Sequence, residues 1–118
     1  MHEQNEIMVS VFCLAFNHEN YIRQTIDSIL DQKTSFPFEI LIHDDASTDR
    51  TAEIIREYER RAPGIVRPIY QQNNQYSQGK NNLYEFMMPR ARGKYFAFCE
   101  CDDYWTDPDK LQKQVDYL

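Results

Sequence analysis

The sequence predicts an α/β fold: a mostly parallel sheet with helices on both faces, in the order β-α-β-α-β-α-β-α. Short apolar runs alternate with stretches whose apolar residues recur at spacings of three and four. The links between successive runs are too long for hairpins, so the strands run parallel through helical crossovers. Three of the runs also end abruptly in polar clusters, and ligands of such sheets bind beyond the C-terminal ends of the strands.

The first strand is Met8 to Phe16, followed at once by Asn17-His18-Glu19-Asn20. Asn17 is placed to cap a helix over 18–32, with Glu19 near the positive end of its dipole. Tyr21, Ile22, Ile26, Ile29 and Leu30 give that helix one apolar face. Phe36-Pro37 breaks the chain, and Phe38 to Ile42 forms a second strand ending in His43-Asp44-Asp45-Ala46-Ser47. Ser47 or Asp49 then caps a second helix, in which Ile54, Ile55, Tyr58 and Ala62 face inward until Pro63-Gly64 stops it. Asp44 fits a local turn better than a ligand contact.

Ile65 to Tyr70 is a third strand, and Pro68 sends it to the sheet edge because proline donates no ladder hydrogen bond. The polar stretch from Gln71 to Gly79 is long enough for a functional loop. Leu83, Phe86 and Met87 mark a third helix that Pro89 ends or kinks. Tyr95 to Cys99 is a buried fourth strand, and Glu100, Asp102 and Asp103 crowd its end. Asp107 caps a last helix with Pro108 at its first position, and Leu111, Val115 and Leu118 lie on its apolar face.

One domain, 1–118, is the most that 118 residues build. Thirteen Lys and Arg against nineteen Asp and Glu argue against a nucleic-acid surface. No apolar stretch is long enough for a membrane span, and the start Met1 to Glu6 lacks the pattern of a signal peptide. The cytoplasm is the expected compartment. Cys13, Cys99 and Cys101 are expected as reduced, buried thiols, since the paired spacing of a structural zinc site is missing.

The acids at the end of the fourth strand carry the chemistry. Two like charges about 4 Å apart repel by roughly 4 kcal/mol at an effective dielectric near 20, so this cluster needs protons, solvent or a cation. Neither the dinucleotide glycine fingerprint nor the P-loop is present. Carboxylates that hold Mg²⁺ or Mn²⁺ against phosphate oxygens are the remaining solution. Asp45, at the end of the second strand, is placed to accept hydrogen bonds from a base or ribose. Lys80, Arg50 and Arg92 are candidates for pairing with a diphosphate, and Tyr104 and Trp105 either staple the last helix or offer a sugar platform.

Three ordered motifs, Val9 to Asn17 (VSVFCLAFN), His43 to Asp49 (HDDASTD) and Gly93-Lys-Tyr with Glu100 to Trp105 (ECDDYW), resemble the family 2 glycosyltransferases, which have a Rossmann-like GT-A fold. The likeness covers nearly the whole chain and is greatest to a bacterial branch that builds surface polysaccharide. It implies transfer of a sugar, with inversion, from a nucleotide diphosphate donor, commonly UDP-linked, to a hydroxyl of a saccharide or lipid-linked acceptor. By the same resemblance Asp45 matches the carboxylate that contacts the base, and Phe16 and Asn17 lie in the segment that lines its pocket. Asp102 matches the metal ligand that ends the DxD motif. Glu100 replaces that motif's first Asp, and Asp103 falls near the donor sugar. The family's catalytic base lies in a second half of the domain, so no catalytic residue is expected before Leu118 and the chain is expected to be a truncated nucleotide-sugar-binding portion. A longer protein would work at the inner face of the membrane. Two alternatives stand beside this reading. One is a metal-dependent nucleotidyltransferase, disfavoured by the lack of a glycine-rich basic loop after the first strand. The other is a non-catalytic nucleotide-binding or interaction module, open to homodimer formation.

Overall fold

The computed structural model describes residues 6–118. The polar start up to Asn5, on which the expectation about a signal peptide partly rests, lies outside the described residues.

Four parallel strands, β1 (Val9–Ala15), β2 (Phe38–Asp44), β3 (Val66–Tyr70) and β4 (Tyr95–Phe98), form one sheet in the order β3-β2-β1-β4. β1 is flanked by β2 on one side, with Val9 opposite Phe38, and by β4 on the other, with Val9 opposite Tyr95. All four C-terminal ends therefore share one edge. The second strand runs two residues further than the sequence suggests, because His43 and Asp44 still pair with Leu14 and Ala15 of β1. Pro68 lies in β3, which is an edge strand.

Among the described residues three α-helices, α1 (Ile22–Leu30), α2 (Thr51–Arg61) and α3 (Lys110–Tyr117), accompany the sheet. Ile22, Ile26 and Ile29 of α1, Ile54, Ile55 and Tyr58 of α2, and Leu111 of α3 join Val9, Val11, Cys13, Ile40 and Ile42 in the main core. Each fully buried isoleucine there contributes about 2 kcal/mol. The opposite face is thinner: Phe12, Leu41 and Ile69 are covered by Met87, with Leu83, Met88 and Ala91 around it. The expected third helix is there a single π-helical turn, Leu83–Met87, followed by a 3₁₀ turn, Met88–Arg90. Pro89 supplies no amide hydrogen for an α-helical bond and its ring clashes with the turn before it, so the segment does not continue as a regular helix.

The helix starts also differ from expectation. α1 begins at Ile22 rather than near residue 18, and Asn17 does not cap it. Asn17 adopts a left-handed conformation (φ 56°), and its side chain turns to the neighbouring loop instead. Ser47 is likewise not a cap; its hydroxyl serves Asp44. Asp49 does bind the α2 terminus, accepting from the Thr51 amide at 2.9 Å, although the cap position itself is Arg50. α3 starts three residues after Asp107, which accepts from the Asp109 amide at 2.9 Å and closes a turn ahead of the helix.

At the opposite edge of the sheet, Glu39 is buried in β2 with no exposure. Its carboxylate accepts hydrogen bonds from Ser10 Oγ (2.6 Å), Arg67 Nη1 (2.7 Å), Arg92 N (2.8 Å) and Arg92 Nε (2.9 Å). Gly93 passes so close to β1 that an added Cβ would lie 2.5 Å from the Ser10 nitrogen. This knot fixes the entry to β4 against β1 and β2. Arg92 is therefore engaged at the edge opposite the acids and cannot pair with a diphosphate held there.

Candidate functional site

The two loops that leave β1 and β2 brace each other. The Asn17 amide donates to Ser47 Oγ (2.9 Å), and Asn17 Oδ1 accepts from the Thr48 amide (2.8 Å). The His18 amide donates to Thr51 Oγ1 (2.8 Å), and Glu19 Oε1 accepts from the Arg50 amide (2.9 Å). Ala46, like Asn17, sits at positive φ (61°), a conformation that costs a residue with a Cβ of order 1 kcal/mol and is held here by the cross-links. Burial pushes the Asp44 carboxyl above its usual range, and its hydrogen bond from Ser47 opposes this only in part. Asp44 thus takes the structural role expected of it.

Beside these loops lies a cleft of about 730 Å³, walled by Phe16, His18, His43, Asp45, Tyr76 and Asn82 among others. Asp45 is 4% exposed, and its carboxylate is engaged by the chain itself. It accepts from the amides of Gln75 (2.7 Å) and Tyr76 (3.0 Å) and from Asn82 Nδ2 (3.0 Å). The 71–79 loop is thereby folded back over the end of β2, closed by Gly79 in a left-handed turn (φ 80°). Phe16 offers an exposed ring at the cleft mouth, while Asn17 lies beside the cleft as part of the loop brace.

His43 and Asn82 were not singled out from sequence as contacts to a ligand, and they line the cleft. The His43 ring is buried, stacked on Phe86 at 5.4 Å, and burial pulls its pKa below the usual value, so it is neutral. Gln71 Nε2 lies 3.2 Å from His43 Nε2. Among the described residues, His43 Nδ1 and Asn82 Oδ1 are buried without a hydrogen-bond partner. Both atoms lie beneath the cleft surface, behind the groups that line it. No periodicity betrays such a pair; the signals in sequence are the place of His43 in the polar cluster that ends the second strand and the polar loop from Gln71 to Gly79 that precedes Asn82.

Glu100, Asp102 and Asp103 lie outside the cleft lining but at the same edge, after β4 and across β1 from β2. All three are exposed. The Asp103 amide closes a turn onto the Glu100 carbonyl at 3.0 Å, and Asp103 Oδ1 accepts from the Tyr104 amide at 2.8 Å. Among the described residues the carboxylates of Glu100 and Asp102 enter no ion pair, and no group of three or more His, Cys, Asp and Glu forms a complete metal cage. Free hard oxygen donors on a tight turn fit Mg²⁺ or Mn²⁺ that shares its coordination with waters and substrate phosphates. Lys80 and Arg50 have partners of their own, Glu85 at 3.9 Å and Glu53 at 2.8 Å. Trp105 packs partly buried against the core with Lys110 over its ring at 4.9 Å, which is the staple role. The three cysteines are free and buried in the same core. Burial pushes the Cys99 thiol up to about 12, so it is inert at neutral pH.

The sequence was compared with known proteins. The family described as "Glycosyl transferase family 2" matches residues 10–118. The uncharacterized protein Rv1520 of Mycobacterium tuberculosis is 48% identical over 110 residues, covering 93% of this chain and 31% of that protein. The putative teichuronic acid biosynthesis glycosyltransferase TuaG of Bacillus subtilis is 38% identical over 112 residues, covering 94% of this chain and 42% of that protein. Among solved structures, that of S. aureus TarS 1–349 in complex with UDP superposes with a TM-score of 0.78 at 26% identity, over 94% of this chain and 32% of that one. The chain thus spans about a third of the length of the proteins it matches. With the match over residues 10–118 and the GT-A-like sheet that carries it, the chain belongs to glycosyl transferase family 2.

Proposed function

We propose that this chain is the donor-nucleotide portion of an inverting glycosyltransferase that moves a sugar from a UDP-linked donor to an acceptor hydroxyl in cell-surface polysaccharide biosynthesis. The observation that carries the proposal is the shared edge of the sheet, where a largely apolar cleft at the ends of β1 and β2 lies on the same side as the acid turn after β4, whose Glu100 and Asp102 enter no ion pair among the described residues. The cleft takes the nucleoside. Phe16 packs against it, and the polar lining residues Thr48, Asn73, Asn74 and Ser77 face its polar edge. Asp45 acts on the base at one remove, by orienting Asn82 and the loop amides. Asp102, with Glu100 beside it, would hold Mg²⁺ or Mn²⁺, and Asp103 lies toward the sugar. Such an ion neutralises the charge that develops on a departing diphosphate. The base that deprotonates the acceptor is assigned to another part of the longer protein. That protein is placed at the cytoplasmic face of the membrane with a saccharide or lipid-linked acceptor. Support comes from UDP in the TarS structure and from the teichuronic acid role in the name of TuaG.

Amide chemical-shift mapping with UDP tests this. Shifts centred on Phe16, His43, Asp45 and Asn82, and spreading to Asp102 when Mn²⁺ is replaced by Mg²⁺ to keep the signals sharp, are the expected result. Shifts confined to the apolar groove of about 520 Å³ beside β4, lined by Val9, Tyr95 and Leu111, would overturn it.

A further inference from the structure

Helix α1 carries a second stripe besides its apolar one. Thr25 and Ser28 of α1, and Gln32 just past its C-terminal end, follow at spacings of three and four, and each grips the segment that leaves β4. Thr25 is fully buried; its Oγ1 lies 3.0 Å from the Cys101 carbonyl and in closer contact with the Asp103 carbonyl, and 3.3 Å from Tyr21 O in its own helix. Ser28 Oγ accepts from the Trp105 amide at 3.0 Å. Gln32 uses both ends of its amide, donating to Asp107 O at 2.8 Å and accepting from Leu111 N at 2.9 Å. The run from Cys101 to Leu111 is thus hung along one helix.

The two carbonyls that Thr25 meets belong to the residues on either side of Asp102. The Asp102 side chain is exposed and enters no ion pair among the described residues, so its place depends on the backbone alone. We infer that Thr25 is a positioning residue for the acid turn, setting where the Asp102 carboxylate stands relative to the cleft. The inference rests on the proposed reading of Asp102 as a metal ligand. It adds a helix residue 77 positions earlier in the chain, as read from Asp102 and Thr25. Groups that orient metal ligands without touching the metal commonly change its affinity about 10- to 100-fold when removed.

The test is Mn²⁺ titration by electron paramagnetic resonance in the presence of UDP, with UDP affinity measured separately without metal. Thr25→Val keeps the shape and removes the hydroxyl. It is expected to weaken Mn²⁺ binding about tenfold and leave metal-free UDP binding unchanged, with Thr25→Ser restoring the metal affinity. If Thr25→Val fails to fold, Ser28→Ala on the half-buried part of the same stripe gives the reading, with an expected weakening of about threefold. A variant that melts earlier but binds Mn²⁺ as wild type does, when folded, overturns the inference and leaves the proposed function standing. A wild-type chain that binds UDP indifferently to Mn²⁺ overturns the metal reading and the inference with it.

Discussion

Asn82 Nδ2 donates to Asp45 Oδ2 at 3.0 Å, joining the end of β2 to the far end of a loop 37 residues on. The acid that ends β2 therefore organises the wall of the cleft before any ligand arrives. The remaining Asn82 atom, Oδ1, is fixed in orientation by that bond and left buried without a partner.

Asp45→Asn should loosen this loop more than it unfolds the domain. The substitution turns one of the two acceptor oxygens into a donor that faces the Gln75 amide at the Oδ1 position, or both the Tyr76 amide and the Asn82 nitrogen at the Oδ2 position. A loss of about 1–3 kcal/mol follows from hydrogen bonds to a charged group left unmade. Hydrogen exchange should show the Gln75 and Tyr76 amides losing protection while those of β1 and β2 keep theirs.

Glu39 anchors the other edge. Burial alone would raise its carboxyl pKa, but hydrogen bonds from Arg92, Ser10 and Arg67 outweigh this and hold it below the usual range. A depressed folded pKa means stability that is complete above the unfolded value, near 4.3, and is lost as pH falls through the folded one. Glu39→Gln should cost about 3 kcal/mol in urea unfolding at pH 7, because Arg67 and Arg92 lose their shared anion. The difference from wild type should shrink in acid.

His43 adds a second pH term of known sign. Its folded pKa lies below the ordinary value, chiefly through burial, so the unfolded chain takes up a proton first as pH falls. Stability conferred by neutral His43 is complete above about pH 6.5 and declines below it until the folded pKa is reached. Thermal melts of wild type and His43→Gln at pH 7.5 and 5.5 check this. Wild type should lose more on acidification than the variant.

Much of the fold was legible because parallel strands buried on both faces are continuous apolar runs, as in Val9 to Ala15 and Ile40 to Ile42. Pro68 marked an edge strand for a stereochemical reason that context does not alter. Helix starts were less legible. Asn17 and Ser47 have capping side chains, but Asn17 Oδ1 accepts from the Thr48 amide and Ser47 Oγ from the Asn17 amide, contacts 31 and 30 residues away in sequence. The third helix was expected to end or kink at Pro89, and it is a π turn followed by a 3₁₀ turn, with Leu83 and Met87 covering Phe12 and Leu41. The polar residues of the site carried no pattern of their own. Asp44 was legible as a turn anchor, but the contacts of Asp45 to the Gln75 and Tyr76 amides and to Asn82 were not, because they come from a loop 30 and more residues further on. The stripe of Thr25, Ser28 and Gln32 was hidden because polar residues in an amphipathic helix are ordinarily solvated.

Calorimetry of UDP binding, with and without Mn²⁺, on this chain and on Asp102→Asn tests the central claim most directly. The account predicts that Mn²⁺ tightens UDP binding to the wild-type chain by at least about tenfold, a gain of about 1.4 kcal/mol, and that Asp102→Asn abolishes the gain while metal-free UDP binding persists. Failure of folded wild type to bind UDP at any Mn²⁺ concentration would contradict the account.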